Sequence, residues 1–169
     1  MSGAVKNMIR LLISVVISIS TAHNSPGQSK VESPSGWKLV SGCTVSVSVP
    51  PDIEFVYDHS SDACLRYYRG KNIAVRLYVT PFRIGPGEYS KWLEYCLTKT
   101  KINTREAEIV STHMAITSGE NQGLDYMAML LVPQFRTGDG NLIILSWGRT
   151  PGDRETAIKI LRSVQFDKK

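Results

Sequence analysis

Between Ala107 and Val164 the apolar positions fall into three runs of strand length, followed by one stripe at helical spacing. The runs predict strands at Ala107–Ile116, Leu124–Phe135 and Asn141–Trp147. Met127–Val132 and Leu142–Leu145 are unbroken apolar stretches, which suit sheet positions buried on both faces. Ser118–Gly123 and Thr137–Gly140 separate the runs. Both are rich in residues that accept positive φ, so both predict hairpin turns. Ala157, Ile158, Ile160, Leu161 and Val164 form the stripe, predicting a helix over Asp153–Val164. The unit is a three-stranded meander closed by an amphipathic helix.

Upstream, Cys43, Val45, Val47 and Val49 alternate with Thr44, Ser46 and Ser48, the period of a half-buried strand. Pro50-Pro51 ends it, because proline cannot donate to a ladder. Ile53–Tyr57 reads as a short return strand and Asp58–Asp62 as a polar loop. Cys64–Arg69 and Ile73–Thr80 predict a hairpin around Gly70-Lys71. A two-residue loop would pair Tyr68 with Ile73, Arg66 with Val75 and Cys64 with Leu77. The other face would then carry Leu65, Tyr67, Ala74, Arg76 and Tyr78. Tyr89, Trp92, Leu93, Cys96 and Leu97 share one helical side, predicting a helix over Glu88–Thr100. Pro86 and Pro151 would sit at the first helical position of their helices, each with an acid two residues on. The order β-β-β-β-α-β-β-β-α predicts an α+β fold, an antiparallel sheet with two helices.

Charge and cysteine usage bear on location. Residues 1–22 have the layout of a secretory signal peptide: Lys6 and Arg10, then apolar Leu11–Ile19, then Ser20-Thr21-Ala22. The apolar run is about half the ~20 residues that a membrane-spanning helix needs. An uncleaved anchor or a core helix is the alternative. Residues 23–36 are polar and read as a disordered lead-in, leaving 37–169 as a single domain. The formal charge of +5 includes Lys6 and Arg10, and the chain has no basic block. Nucleic acid is therefore not expected as a partner, nor is stable membrane insertion after cleavage. Of the three cysteines, Cys96 falls in the expected helix as a buried small residue. In an oxidising compartment that leaves a Cys43–Cys64 disulfide; in a reducing one, three thiols.

The stretch from 37 to 166 resembles the PsbP-like α/β/α sandwiches, named for an extrinsic subunit of the photosynthetic oxygen-evolving complex. The resemblance rests on Val49-Pro50-Pro51, a helix after Tyr78-Val79-Thr80-Pro81, the meander, and the closing Ile160–Phe166. It implies a non-enzymatic scaffold that binds other proteins, with no shared catalytic site to carry over. The Cys43 and Cys64 pair departs from that family.

Motifs for chemistry are sparse. Asp58-His59-Ser60-Ser61-Asp62 groups an imidazole with two carboxylates, at no familiar metal spacing. His113 stands alone in a strand, and there is no Gly-x-Ser-x-Gly elbow. A Cys96–His113 nucleophile and base would need a polar, accessible thiol. Gly138-Asp139-Gly140 lacks the ligand run of a calcium loop. The helix starts at Gly85–Glu88 and Thr150–Asp153 place their own acids where a phosphate would sit. No catalytic residue, metal site or cofactor is therefore expected. Leu65, Tyr67, Arg76 and Tyr78 remain as a candidate binding face, since Tyr and Arg are enriched at interface centres. A helix covering that face is the alternative. The expected function is a periplasmic or secreted, non-catalytic protein-binding domain, an accessory or assembly factor of the cell envelope. A periplasmic immunity or inhibitor protein against a toxin or hydrolase is the second possibility, and an enzyme of unrecognised type the third.

Overall fold

A computed structural model describes residues 33–59, 64–81, 90–135 and 140–167. The proposed signal peptide and most of the lead-in lie outside the described residues. So do most of the Asp58–Asp62 loop, the expected helix start at Gly85–Glu88, and most of the Thr137–Gly140 turn.

The chain forms two antiparallel sheets and, among the described residues, one helix. The small sheet has the order β1-β2-β10, made of β1 (Lys38–Gly42), β2 (Val45–Val49) and β10 (Gln165–Phe166). The large sheet contains β3 (Glu54–His59), β4 (Leu65–Arg69), β5 (Ile73–Thr80) and β6 (Leu93–Ile102). Its other strands are β7 (Arg105–His113), β8 (Tyr126–Val132) and β9 (Asn141–Gly148). The order in the large sheet is β3-β4-β5-β9-β8-β7-β6. Helix α1 (Pro151–Arg162) packs with the small sheet on one face of the large one.

The expected meander is present as β7-β8-β9. Its apolar runs are buried, with Met129, Leu130, Leu142 and Ile144 fully so. The closing helix is present too. Thr150 caps it: its Oγ1 accepts from the Asp153 N–H at 3.2 Å, and Asp153 Oδ2 accepts from the Thr150 N–H at 2.9 Å. This reciprocal box satisfies donors that the first helical turn leaves open, and Pro151 occupies a position with no intrahelical donor to lose. The strand-to-helix corner is tight. A Cβ on Gly148 would stand 2.5 Å from Asp153 Cβ, so only glycine fits there.

The α+β arrangement with two helices, and with it the PsbP-like α/β/α sandwich, is not what forms. Residues 93–102 of the expected helix Glu88–Thr100 and its continuation are the edge strand β6. The apolar spacing matched a helix, but β-branched Thr98, Thr100 and Ile102 and a charge ladder favour pairing with β7. In register, Lys99 faces Glu108 and Lys101 faces Glu106, with Lys101 Nζ 3.0 Å from Glu106 Oε1. Asn103 and Thr104 make the connecting turn at φ 47° and 73°, the two-residue geometry that follows strand twist. Cys96, expected to be buried, is exposed.

Three further expectations are corrected. The strand expected at Cys43–Val49 forms from Val45 as β2, while its first two residues are the turn of a hairpin. Cys43 and Thr44 form its turn at φ 57° and 65°, and β1 and β2 flank it. β2, expected to be half-buried, is buried on both faces, its valines in the main core and its serines against Ser41, Ser163 and Asp167. Its serines are bonded there: Ser41 and Ser46 hydroxyls lie 2.7 Å apart, and the Ser48 N–H donates to Ser163 Oγ at 2.8 Å. The return strand does not pair with β2 but joins the large sheet as β3. The β4–β5 register is two residues off the expected one, with Tyr68 opposite Val75 and Arg66 opposite Leu77. A shift of two preserves the alternation of faces.

The main core lies between the sheets. Val45, Val47 and Val49 of β2 meet Val75, Leu77, Leu130 and Ile144 of the large sheet, with Ala157, Ile160 and Leu161 of α1. The disulfide Cys43–Cys64, with Cα atoms 5.3 Å apart, joins the β1–β2 turn to the entry of β4. A second cluster covers the other face of the large sheet, centred on Tyr67, Val110, Met127, Met129, Ile143 and Trp147.

Candidate functional site

The second face of the large sheet carries the Tyr and Arg residues singled out in the sequence. Register sets Tyr67 opposite Arg76, and Leu65 opposite Tyr78. On the far side of β5, Leu145 stands beside Arg76 and Ile143 beside Tyr78. A bulge in β3 keeps Tyr57 opposite Tyr67, with ring centroids 5.2 Å apart. The four selected residues therefore share one face, but not one environment. Tyr67 is 1% exposed, whereas Leu65, Arg76 and Tyr78 are half-buried.

Part of the cover comes from the connection between β7 and β8 rather than from a helix. That loop is pinned at its base, where the Met114 N–H donates to the Asp125 carbonyl at 2.7 Å and the Ile116 N–H to Asp125 Oδ1 at 2.9 Å. Leu124 is fully buried, in the same cluster as Tyr67 and Trp147. Tyr67 donates from its hydroxyl to Asn121 Oδ1 at 2.9 Å, so the loop reaches the sheet through a buried hydrogen bond.

Glu120 closes the arrangement. Its carboxylate pairs with the Arg76 guanidinium through Nη2 and accepts from the Tyr57 hydroxyl at 2.9 Å. Its backbone carbonyl accepts from Arg69 Nη1, which also donates to the Tyr67 hydroxyl at 3.2 Å. The Arg76 guanidinium lies 5.4 Å from the Tyr67 ring and 5.5 Å from the Trp147 ring, where the faces of both aromatics favour a cation. Arg76 Nε is buried with no protein acceptor among the described residues. One guanidinium and one tyrosine hydroxyl thus engage the Glu120 carboxylate, and a second guanidinium engages the backbone of the same residue.

A second polar group sits at the other margin. His113 stacks on Tyr126 with centroids 4.5 Å apart, and its Nδ1 is 3.9 Å from Glu94 Oε1. Arg154 of α1 pairs with Glu94 and lies 5.7 Å from the Tyr126 ring. Cys96 does not join His113: it faces Ser111, while His113 faces Leu93. Among the described residues no three His, Cys, Asp or Glu side chains come together as a metal site.

Large apolar side chains are exposed on the sheet edges. Phe55 and Val56 of β3 are 52% and 49% exposed, and Leu93 of β6 is 70% exposed. Phe55 packs edge-on against Tyr68 at 5.7 Å, and the Arg66 guanidinium lies 5.8 Å from its ring.

No protein-family model matches the chain, and no curated protein matches it. Among solved structures the chain is similar to a protein of Bacteroides thetaiotaomicron VPI-5482, with 12% identity and a TM-score of 0.44. The match covers 75% of this chain and 46% of that one, so the chain spans less than half the length of that structure.

Glu120, Asn121, Tyr57 and Phe55 were not singled out in the sequence. Glu120 lies 44 residues from Arg76 in what reads as an ordinary polar turn, and no spacing rule links the two. Phe55 did carry a signal. Phe55-Val56-Tyr57 is a continuous apolar triplet in a short strand, and such a triplet puts apolar groups on both faces.

Proposed function

We propose that the protein is an exported, non-catalytic domain of the cell envelope that binds another protein through the β3 margin of its large sheet. One observation carries the reading: Phe55 stands exposed on an edge strand between Arg66 and Tyr68, with exposed Val56 beside it. An aromatic anchor flanked by arginine has the composition of an interface centre. An edge strand also offers its backbone to an extended partner segment. Leu65, Tyr67, Arg76 and Tyr78 lie on the other face of the neighbouring strands β4 and β5, with Tyr67 buried among them.

Location in the periplasm or outside the cell is supported by the Cys43–Cys64 disulfide, which persists in oxidising compartments. The layout of residues 1–22 points the same way. No helix among the described residues is long and apolar enough to cross a membrane.

Capture from envelope extract tests the reading, using the mature chain, a Phe55→Ser/Val56→Ser variant and a Leu93→Ser control. A partner retained by the mature chain and the control but lost by the double variant supports it. Capture unchanged in the double variant overturns the β3 assignment. N-terminal sequencing from the envelope fraction is expected to begin near His23; an intact Met1 in the cytosol would overturn the location.

A further inference from the structure

We infer that the Arg76 guanidinium forms a carboxylate-binding site that the protein's own Glu120, held in place by Tyr57, occupies as a latch. This goes beyond the proposed protein-binding margin and does not depend on it.

Glu120 uses the site incompletely. A guanidinium offers a planar fork of donors that a carboxylate can engage with both oxygens at once. Glu120 engages Arg76 through Nη2 alone and gives its other oxygen to the Tyr57 hydroxyl at 2.9 Å. Arg76 Nε remains buried without a protein acceptor among the described residues. A free carboxylate can approach so that one oxygen takes Nε and the other Nη2. Its two bonds would then run parallel, each assisted by charge.

Charge and surroundings favour the exchange. Arg76 pairs with the Glu120 carboxylate and Arg69 donates to the Glu120 backbone carbonyl, so two guanidinium charges stand near one carboxylate. Tyr67 and Trp147 hold the Arg76 guanidinium between aromatic faces, which preorganises it. In Glu120→Gln a free carboxylate restores the negative charge that the lost side chain supplied to Arg76.

The latch is placed where it can release. Glu120 is exposed, and Gly119 before it has φ 81°, a conformation suited to glycine in a turn tip. The next residue, Asn121, is held to Tyr67, and Leu124 is buried. The carboxylate can therefore leave Arg76 while the rest of the loop stays on the sheet. A tethered carboxylate competes at high effective concentration. The wild-type protein should consequently bind free carboxylates weakly, and removing the tethered group should unmask the site.

The experiment titrates acetate into wild-type protein, Glu120→Gln and Glu120→Gln/Arg76→Lys in carboxylate-free buffer. The backbone amide resonances of residues 57 and 76 are the readout in all three proteins, the Arg76 Nε–Hε resonance is followed where arginine is present, and sodium chloride at equal ionic strength is the control. Glu120→Gln is expected to bind acetate at least tenfold more tightly than wild type, with saturable movement of the Arg76 resonance. The double variant should lose that gain. Equal affinity in wild type and Glu120→Gln would overturn the inference. So would a gain that survives Arg76→Lys, or a response to chloride equal to that for acetate. Should Glu120→Gln fail to fold, Tyr57→Phe takes its place, since it removes one of the two bonds holding Glu120. Tyr57→Phe is expected to tighten acetate binding about threefold to tenfold, and no tightening would overturn the inference equally.

Discussion

Cys43 is bonded to Cys64 across a sequence separation of 21, and the bond joins the turn of the small sheet to the entry of β4 in the large one. Beside it, the Tyr68 hydroxyl donates to the Ser41 carbonyl at 2.7 Å, and Arg66 lies against Gly42, where a Cβ would meet Arg66 Cγ at 2.4 Å. The covalent link thus fastens one end of a sheet-on-sheet contact that side chains also define. Replacing both cysteines by alanine should cost about 3 kcal/mol, chiefly by freeing the unfolded chain from a loop of this length. Denaturant unfolding of the variant against the oxidised protein measures it. Peptide mapping without reductant should give one disulfide peptide, containing Cys43 and Cys64.

The buried and half-buried tyrosines of the large sheet should respond differently to truncation. Tyr67→Ala removes a core ring and should destabilise by about 3–5 kcal/mol. Tyr67→Phe keeps the ring but leaves Asn121 Oδ1 without its donor and Arg69 without one acceptor. The expected loss is about 1–3 kcal/mol. Tyr78→Ala, at a half-buried position, should cost about 1–2 kcal/mol. Thermal melts of the three variants rank them. A small effect of Tyr67→Ala would mean that the face is open, with Tyr67 acting as an interface anchor.

Much of the core was legible because alternation does not depend on register. The faces of β4 and β5 follow from period two, and a shift of two residues in pairing left Tyr67, Arg76 and Tyr78 together. The meander and α1 were legible because long apolar runs and a capping sequence agree with each other. β6 was not, because Trp92, Leu93, Cys96 and Leu97 fit a helical stripe. The decisive signal was the complementary charge of Lys99 and Lys101 against Glu108 and Glu106, which appears only once the two segments are set antiparallel. In the sequence the disulfide pair follows from a buried Cys96, which the structure does not bear out. The pair holds for another reason: the chain brings the β1–β2 turn to β4, and Cys96 is exposed on a distant edge. The Glu120 latch is a tertiary contact between a loop and a sheet, and no local pattern encodes it.

Cys96 gives a direct check on the edge strand. Its thiol is free and exposed on β6. A maleimide should therefore add once to the folded, oxidised protein, with no denaturant needed, and proteolysis should place the adduct on Cys96. Labelling that required unfolding would restore a buried Cys96 and overturn the assignment of β6.

The turn between β6 and β7 offers a stabilising substitution. Asn103 and Thr104 both hold positive φ, at 47° and 73°. Asparagine tolerates that region, whereas a β-branched residue meets steric resistance there. Glycine at the second position matches the Asn-Gly pair preferred in two-residue hairpins. Relief of the left-handed conformation is worth roughly 1–2 kcal/mol, and glycine's greater freedom in the unfolded chain takes back about 0.5–1 kcal/mol. Thr104 is exposed, so no core packing is lost. Thr104→Gly should thus stabilise the protein by about 0.5–1 kcal/mol, read as a higher denaturant midpoint at unchanged slope. The same substitution at Asn103 relieves less strain and removes the bond that Asn103 Nδ2 donates to the Val164 carbonyl at 3.4 Å, so it should not stabilise. A destabilised Thr104→Gly protein would show that 103–104 is not a left-handed hairpin turn, and the pairing of β6 with β7 would have to be reconsidered.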